Sequence, residues 1–357
     1  MAETLDEPVT SIDEEPQDVT TPFKYAITSY GADYPVDGLV KRMASGAIFI
    51  ASFQRGYVWS LPQASRFIES LLLGLPVPGI FLSKEEQAQK LLVIDGQQRL
   101  RTLEYFYDGI FRPTGREFTL QGVQPQFEGA TYKTLSSEDR RRLDDSILHA
   151  TIIKQEEPSE DDSSIYYIFE RLNTGGLVLQ PQEIRAAIYH GPFNDLLKEL
   201  NEDAAWRSIY GAPSSRMRDQ ELILRFLALH FTAEKYARPL KAFLNTYMGA
   251  NRHFALQGPN QLRDAFLPSV ALLSGTIGPR AFKPKRALNA AVFDAVMVGL
   301  ARRLREGPVR VRDDVAQRYA VLLTNDNFVA ATERSTTDEE SVRRRLEVAT
   351  ESFATIR

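Results

Sequence analysis

Leu92-Val93-Ile94-Asp95-Gly96-Gln97-Gln98-Arg99-Leu100 joins an apolar run to a carboxylate, a glycine, two amides and a guanidinium within five positions. Helical spacing begins directly after the glycine. A helix start offers unpaired N–H groups and a partial positive charge, and a glycine beside it allows an anion close to the backbone. This is phosphate-binding chemistry. Arg99 could take phosphate oxygens two at a time, Asp95 could hold a magnesium ion or position a water, and Gln97 or Gln98 could orient that water. The plainer reading of the same residues is a turn in which Asp95 caps the helix and the glutamines face solvent.

Two further polar clusters carry chemical groups. In Phe53-Gln54-Arg55-Gly56-Tyr57-Val58-Trp59 the arginine could meet an anion and the aromatics could stack on a base, or the aromatics are core and Arg55 is a solvated charge. In Phe169-Glu170-Arg171-Leu172-Asn173-Thr174-Gly175-Gly176, Asn173, Thr174 and the N–H groups around the double glycine could form an anion nest, or the glycines end a helix.

The elements that must position these groups follow from periodicity. Short apolar runs predict strands over Lys24–Thr28, Ala47–Ile50, Gly79–Leu82, Leu91–Ile94 and Ala150–Lys154. Ser60, then Pro62, then Ala64, Phe67, Ile68, Leu71, Leu72 and Leu75 at helical spacing predict a helix, and Pro76 and Pro78 force an extended exit. A second helix is expected from Gln97 to Tyr107, stopped by Asp108-Gly109. Glu156–Asp162 is acidic and polar and marks a boundary. Beyond it the expected helices are Ile165–Leu172, Pro181–Tyr189, Asp219–Phe231, Leu240–Tyr247, Ala287–Leu304 and Glu339–Ala354. The fold class is therefore α+β: a small mixed-sheet domain over residues 23–160 and a mainly helical domain over 161–357.

The chain has 357 residues, 43% hydrophobic and 25% charged, and no cysteine. Thiol nucleophiles, disulfides and cysteine-based zinc sites are thereby excluded. Net charge is −4, but residues 1–22 hold seven acids and no base, leaving the remainder at +3. Such an acidic start is expected to be a disordered tail. With no signal-peptide pattern and no bilayer-length apolar run, a soluble cytoplasmic protein is expected. Basic runs at Arg280 to Arg286, Arg302 to Arg305, Arg310 with Arg312, and Arg343 to Arg345 could touch DNA, or form a solvated helix face with the acids among them.

Taken together, the three clusters resemble the signature of the N-terminal domain of GmrSD-type restriction endonucleases. Glu69–Pro76, Gln182-Glu183-Ile184-Arg185 and Glu221–Phe226 are similar to supporting segments, and the resemblance covers roughly residues 40–250. It implies a ParB/sulfiredoxin-like fold in the first half, and binding and magnesium-dependent hydrolysis of a nucleoside triphosphate that licenses a nuclease against modified foreign DNA. Asp95, Gly96, Gln97, Gln98 and Arg99 match the nucleotide motif, Gln54, Arg55 and Tyr57 the upstream one, and Asn173, Thr174, Gly175 and Gly176 the downstream one. The chain departs from the fused enzymes, whose HNH-like nuclease needs paired histidines. His149, His190, His230 and His253 stand apart in sequence, so a separately encoded nuclease is the expected partner. Self-association is left open. The alternatives are a non-hydrolysing DNA-binding or adaptor module, and a metal-dependent DNA nuclease with a site outside these motifs.

Overall fold

The computed structural model describes residues 26–50, 56–84, 90–157, 168 and 180–357. The acidic tail, Gln54, Arg55, Asn173 to Gly176, all but one residue of the Ile165–Leu172 helix and most of the expected boundary lie outside the described residues. Those described fall into two compact units, 26–157 and 180–357.

The first unit runs β1 (Ala26–Pro35), α1 (Val36–Ala44), β2 (Ile48–Phe49), α2 (Leu61–Leu72), β3 (Ile80–Lys84), β4 (Leu91–Asp95) and α3 (Gln97–Asp108). A small hairpin, β5 (Ile110–Phe111) with β6 (Arg116–Glu117), then α4 (Ser137–Asp145) and β7 (Ile147–Glu157) complete it. The mixed sheet has the order β1-β7-β3-β4-β2. β1 pairs antiparallel with β7, β7 parallel with β3, β3 antiparallel with β4, and β4 parallel with β2. The mixed α+β class read from sequence holds.

Alternation along the strands sends Ile80, Leu82, Leu91, Val93, Leu148, Ala150 and Ile152 to one sheet face, where Leu39 of α1 and Leu100 of α3 cover them. A second core lies between α2, α3 and the 111–135 segment. In it Ala64, Phe67, Ile68, Leu71 and Leu72 of α2 are buried at the helical spacing visible in sequence. Gln63 accepts from the N–H of Ser60 and so ties the start of α2. β1 runs further than expected, because its pairing with β7 extends to Pro35↔Ile147 through residues with little strand propensity of their own. α1 and α4 were not expected.

The second unit is helical: α5 (Pro181–Ile188), α6 (Pro192–Asn201), α7 (Ala204–Tyr210), α8 (Arg218–Thr232), α9 (Leu240–Ala250), α10 (Pro259–Thr276), α11 (Ala290–Leu304), α12 (Arg312–Leu323), α13 (Asp326–Glu333) and α14 (Glu339–Ala354). Every residue from Ala290 to Ala301 is buried, so α11 is the axis against which α8, α10 and α14 pack. Asp294 sits in its middle and takes three guanidinium hydrogen bonds, from Arg225 Nε at 3.1 Å and Nη2 at 2.7 Å and from Arg345 Nη2 at 2.9 Å. No helix among the described residues is long and apolar enough to cross a membrane.

Candidate functional site

The turn from β4 into α3 is built around Gly96. Leu91 to Ile94 are buried and carry the chain to the sheet end. Gly96 then turns at φ +101° and ψ 8°, a conformation that L side chains rarely adopt. A Cβ there would also lie 2.3 Å from Ile80 Cγ2. The glycine is thus required by backbone geometry and by the neighbouring strand, whatever binds outside. As the residue flanking α3 it offers no side chain to cap the helix start. The plainer reading, with Asp95 as the cap, does not describe this turn.

Asp95 is engaged with Arg99 instead. Arg99 Nη2 donates to Asp95 Oδ2 at 2.7 Å and to the Gly79 carbonyl at 3.0 Å. These two bonds fix the guanidinium at the sheet end. The arginine side chain is only 15% exposed and the aspartate 42%, so the pair has an anchored inner member and an open outer one. Arg99 Nε is buried without a hydrogen-bond partner among the described residues.

Gln98 faces the other way. Its Oε1 accepts from the N–H of Val58 at 3.0 Å and its Nε2 donates to the Gly56 carbonyl at 3.4 Å. Its amide is therefore engaged on backbone, which makes Gln98 a positioning residue; Gln97, the other amide of the turn, is also buried. Thr102 donates its hydroxyl to the Gln98 carbonyl at 2.7 Å, so at the 2.7 Å contact between Tyr57 and Thr102 the phenol is the donor. The Tyr57 ring sits edge-on to Tyr105 and Phe111, and burial pushes its hydroxyl up to about 12. Trp59 packs edge-on against Phe67. Tyr57 and Trp59 are partly buried and pack against the core between α2 and α3, in line with their plainer reading. The segment around Gly56 and the Asp95–Arg99 turn, some forty residues apart in sequence, are joined through Gln98 and Thr102. Gln54, Arg55 and Asn173 to Gly176 are outside the described residues and are not placed.

Sequence reasoning passed over one pair of groups. His149 is not isolated: its Nδ1 lies 2.8 Å from Asp33 Oδ1, across the β1/β7 pairing that sets the two residues opposite each other. Only the strand register, invisible without the pairing, brings them together. His190 contacts the Ala187 carbonyl and Arg252 through its ring. Among the described residues no group of three or more histidine, aspartate or glutamate side chains could hold a metal ion.

His230 is held neutral, its imidazole lowered to about 4 by burial and then by the charges of Arg302 and Arg305. An unfolded histidine titrates near 6.5, so between pH 6.5 and 4 the unfolded chain binds the extra proton. Stability from this group is complete above pH 6.5 and is lost as pH falls towards 4. Urea unfolding is expected to show about 2 kcal/mol less stability from this residue at pH 5 than at pH 7, a difference that His230→Phe removes. An unchanged pH dependence in the variant would contradict this.

Several members of the C-terminal basic runs are paired within the chain. Arg343 and Arg344 bond Glu340, and Arg343 also bonds Glu347. Lys285 meets Glu333, Arg303 donates to the Ile356 carbonyl, and Arg345 is buried on Asp294. These contacts contribute to the packing of the helical unit.

No curated protein matches the chain. The strand, the Gly96 turn, the anchored arginine and the clamped Gly56–Val58 segment all fall inside one stretch that matches a family model. Residues 36–190 match the family described as GmrSD restriction endonuclease, N-terminal domain, the family to which the three sequence motifs point.

Proposed function

We propose that this chain is the nucleotide-binding and hydrolysing sensor of a restriction system that acts on modified DNA together with a separate nuclease. The family match associates residues 36–190 with restriction systems. The observation that carries the finer reading is the Asp95–Arg99 pair, set beside the start of α3, whose flanking residue Gly96 has no side chain to cap it. A terminal phosphate placed there meets the N-terminal partial charge of α3 and a guanidinium that Asp95 and Gly79 already hold in place. Because Arg99 is preorganised, it stabilises charge developing on the phosphate without first giving up rotamer freedom. Gln97 orients the attacking water, while Gln98 and Thr102 keep the Gly56–Trp59 segment at the site's side.

A magnesium ion fits the donors present. Asp95 is a hard oxygen ligand with one oxygen on Arg99 and the other without a partner among the described residues, and one carboxylate with phosphate and water is a usual magnesium shell. Asp95 would hold the ion, which would neutralise phosphate charge.

Phosphate release by the purified chain, with magnesium and each common nucleoside triphosphate, with and without DNA, tests this reading. Asp95→Ala and Arg99→Ala are each expected to lower the rate about 100-fold, with the circular dichroism spectrum unchanged. Wild-type rates in both variants would remove the site. Nucleotide binding without turnover would point to a non-hydrolysing module. Magnesium-dependent cutting of DNA by this chain alone would point to a nuclease.

A further inference from the structure

The helical unit holds a cavity of about 780 Å³ between the end of α8, the segment before α10, α10 itself and the end of α11. That volume is in the range of small-molecule sites. Its floor is apolar and aromatic. Phe231 and His230 stand perpendicular to each other with centroids 4.7 Å apart, and Ala301 and Leu304 of α11 continue the surface.

The polar groups around this floor are not engaged with one another. His230 lines the cavity; its Nδ1 is shut off from solvent and has no hydrogen-bond partner among the described residues, and the neutral ring keeps one donor and one acceptor nitrogen. Gln257 Oε1 takes the hydroxyl of Tyr247 and Gln261 Oε1 takes the N–H of Gly258. Each glutamine is thereby oriented, with its NH₂ group left as a donor. Arg305 adds a cation and Asp264 a carboxylate, neither paired with a described residue. Pro268, also in the wall, has no N–H for the carbonyl of Asp264 four residues earlier, which frees a backbone acceptor.

Such a lining suits a flat molecule with two apolar faces and an edge that alternates donors and acceptors. An alkyl chain would leave the donors and acceptors unmatched, and a small anion would leave the apolar floor unused. We propose that this cavity is a nucleobase-binding site, with the ring plane on the Phe231–Leu304 floor and its edge on His230, Asp264 and the two glutamine amides. It lies wholly within the helical unit and does not depend on the phosphate-binding reading of the Gly96 turn.

Phosphate-free nucleosides separate the two sites, because they lack the group that the Gly96 turn is read to hold. The full chain is titrated calorimetrically with adenosine, guanosine, cytidine and thymidine, and the His230 ring nitrogens are followed by ¹⁵N NMR. At least one nucleoside is expected to bind and to move the His230 ring-nitrogen resonances. Leu304→Trp, which fills the floor, and His230→Phe, which keeps a ring but removes its nitrogens, are each expected to weaken binding at least about tenfold, roughly one hydrogen bond's contribution. Arg99→Ala is expected to bind the nucleoside as wild type does. The proposal is overturned if no nucleoside binds well-folded protein, if binding is unchanged in both cavity variants, or if only an aliphatic probe such as 1-octanol shifts His230. Phosphate release by the two cavity variants, expected at the wild-type rate, keeps failure here distinct from failure of the triphosphatase reading.

Discussion

Asp294→Ala is expected to destabilise the helical unit by about 4 kcal/mol, within the range for breaking a buried ion pair from one side. Asp294 is fully buried, Arg345 is 1% exposed and Arg225 2%. The carboxylate is the sole acid in this group of three, so its removal takes from two buried guanidinium groups the counter-ion that they share. Arg345 keeps a bond to the Thr336 carbonyl, which satisfies one of its nitrogens but none of its charge. Domains of this size are stable by roughly 5–15 kcal/mol, so the loss is a large fraction of the total. Urea unfolding followed by far-ultraviolet circular dichroism measures it. Replacing all three residues with apolar ones of similar volume is expected to recover most of the loss, as the desolvation of the charges then disappears. A deficit below about 1 kcal/mol for Asp294→Ala would show that water reaches the arginines and that the triad is not the dry cluster seen here.

Gly96→Ala is expected to destabilise the first unit by about 3 kcal/mol and, under the proposed triphosphatase function, to abolish phosphate release. Two penalties add. The methyl group must adopt a φ of +101°, and it must displace the side chain of Ile80, itself fully buried against the sheet core. Gly109→Ala is the internal comparison. That glycine also has a positive φ, of 78°, but nothing lies within 4 Å of the added carbon, so about 1 kcal/mol is expected. Differential scanning calorimetry of the two variants separates the backbone penalty from the clash. Equal losses would mean that Ile80 shifts freely.

The positions of these two residues mark how far a sequence can be read. The β4–α3 turn was legible because an apolar run, Asp-Gly and a 3.6-residue period follow one another locally. The α2 stripe was legible for the same reason. α1 carries Val36, Leu39, Val40 and Met43 at helical spacing, but over only nine residues, too few for periodicity to stand out. α10 was hidden by Pro268 inside it. Arg345 looked like the end of a basic run, although it shares a helix face with Val342, Leu346, Ala349 and Phe353, all buried. Periodicity gave the face; no local signal gave the aspartate on another helix that makes burial tolerable. The part of Gln98 was illegible for a similar reason: its partners, Gly56 and Val58, are about forty positions away, and an amide in a helix's first turn looks the same whether it faces a ligand or a neighbouring loop.

That amide has an engineering consequence. Because Gln98 grips the Gly56 and Val58 backbone while Tyr57 hangs from Thr102, the two sequence words around residues 56 and 96 behave as one mechanical part. A grafted β4–α3 turn without its 56–59 strip would carry a glutamine with dangling valences and a threonine missing its phenol, so the smallest transplantable unit spans both.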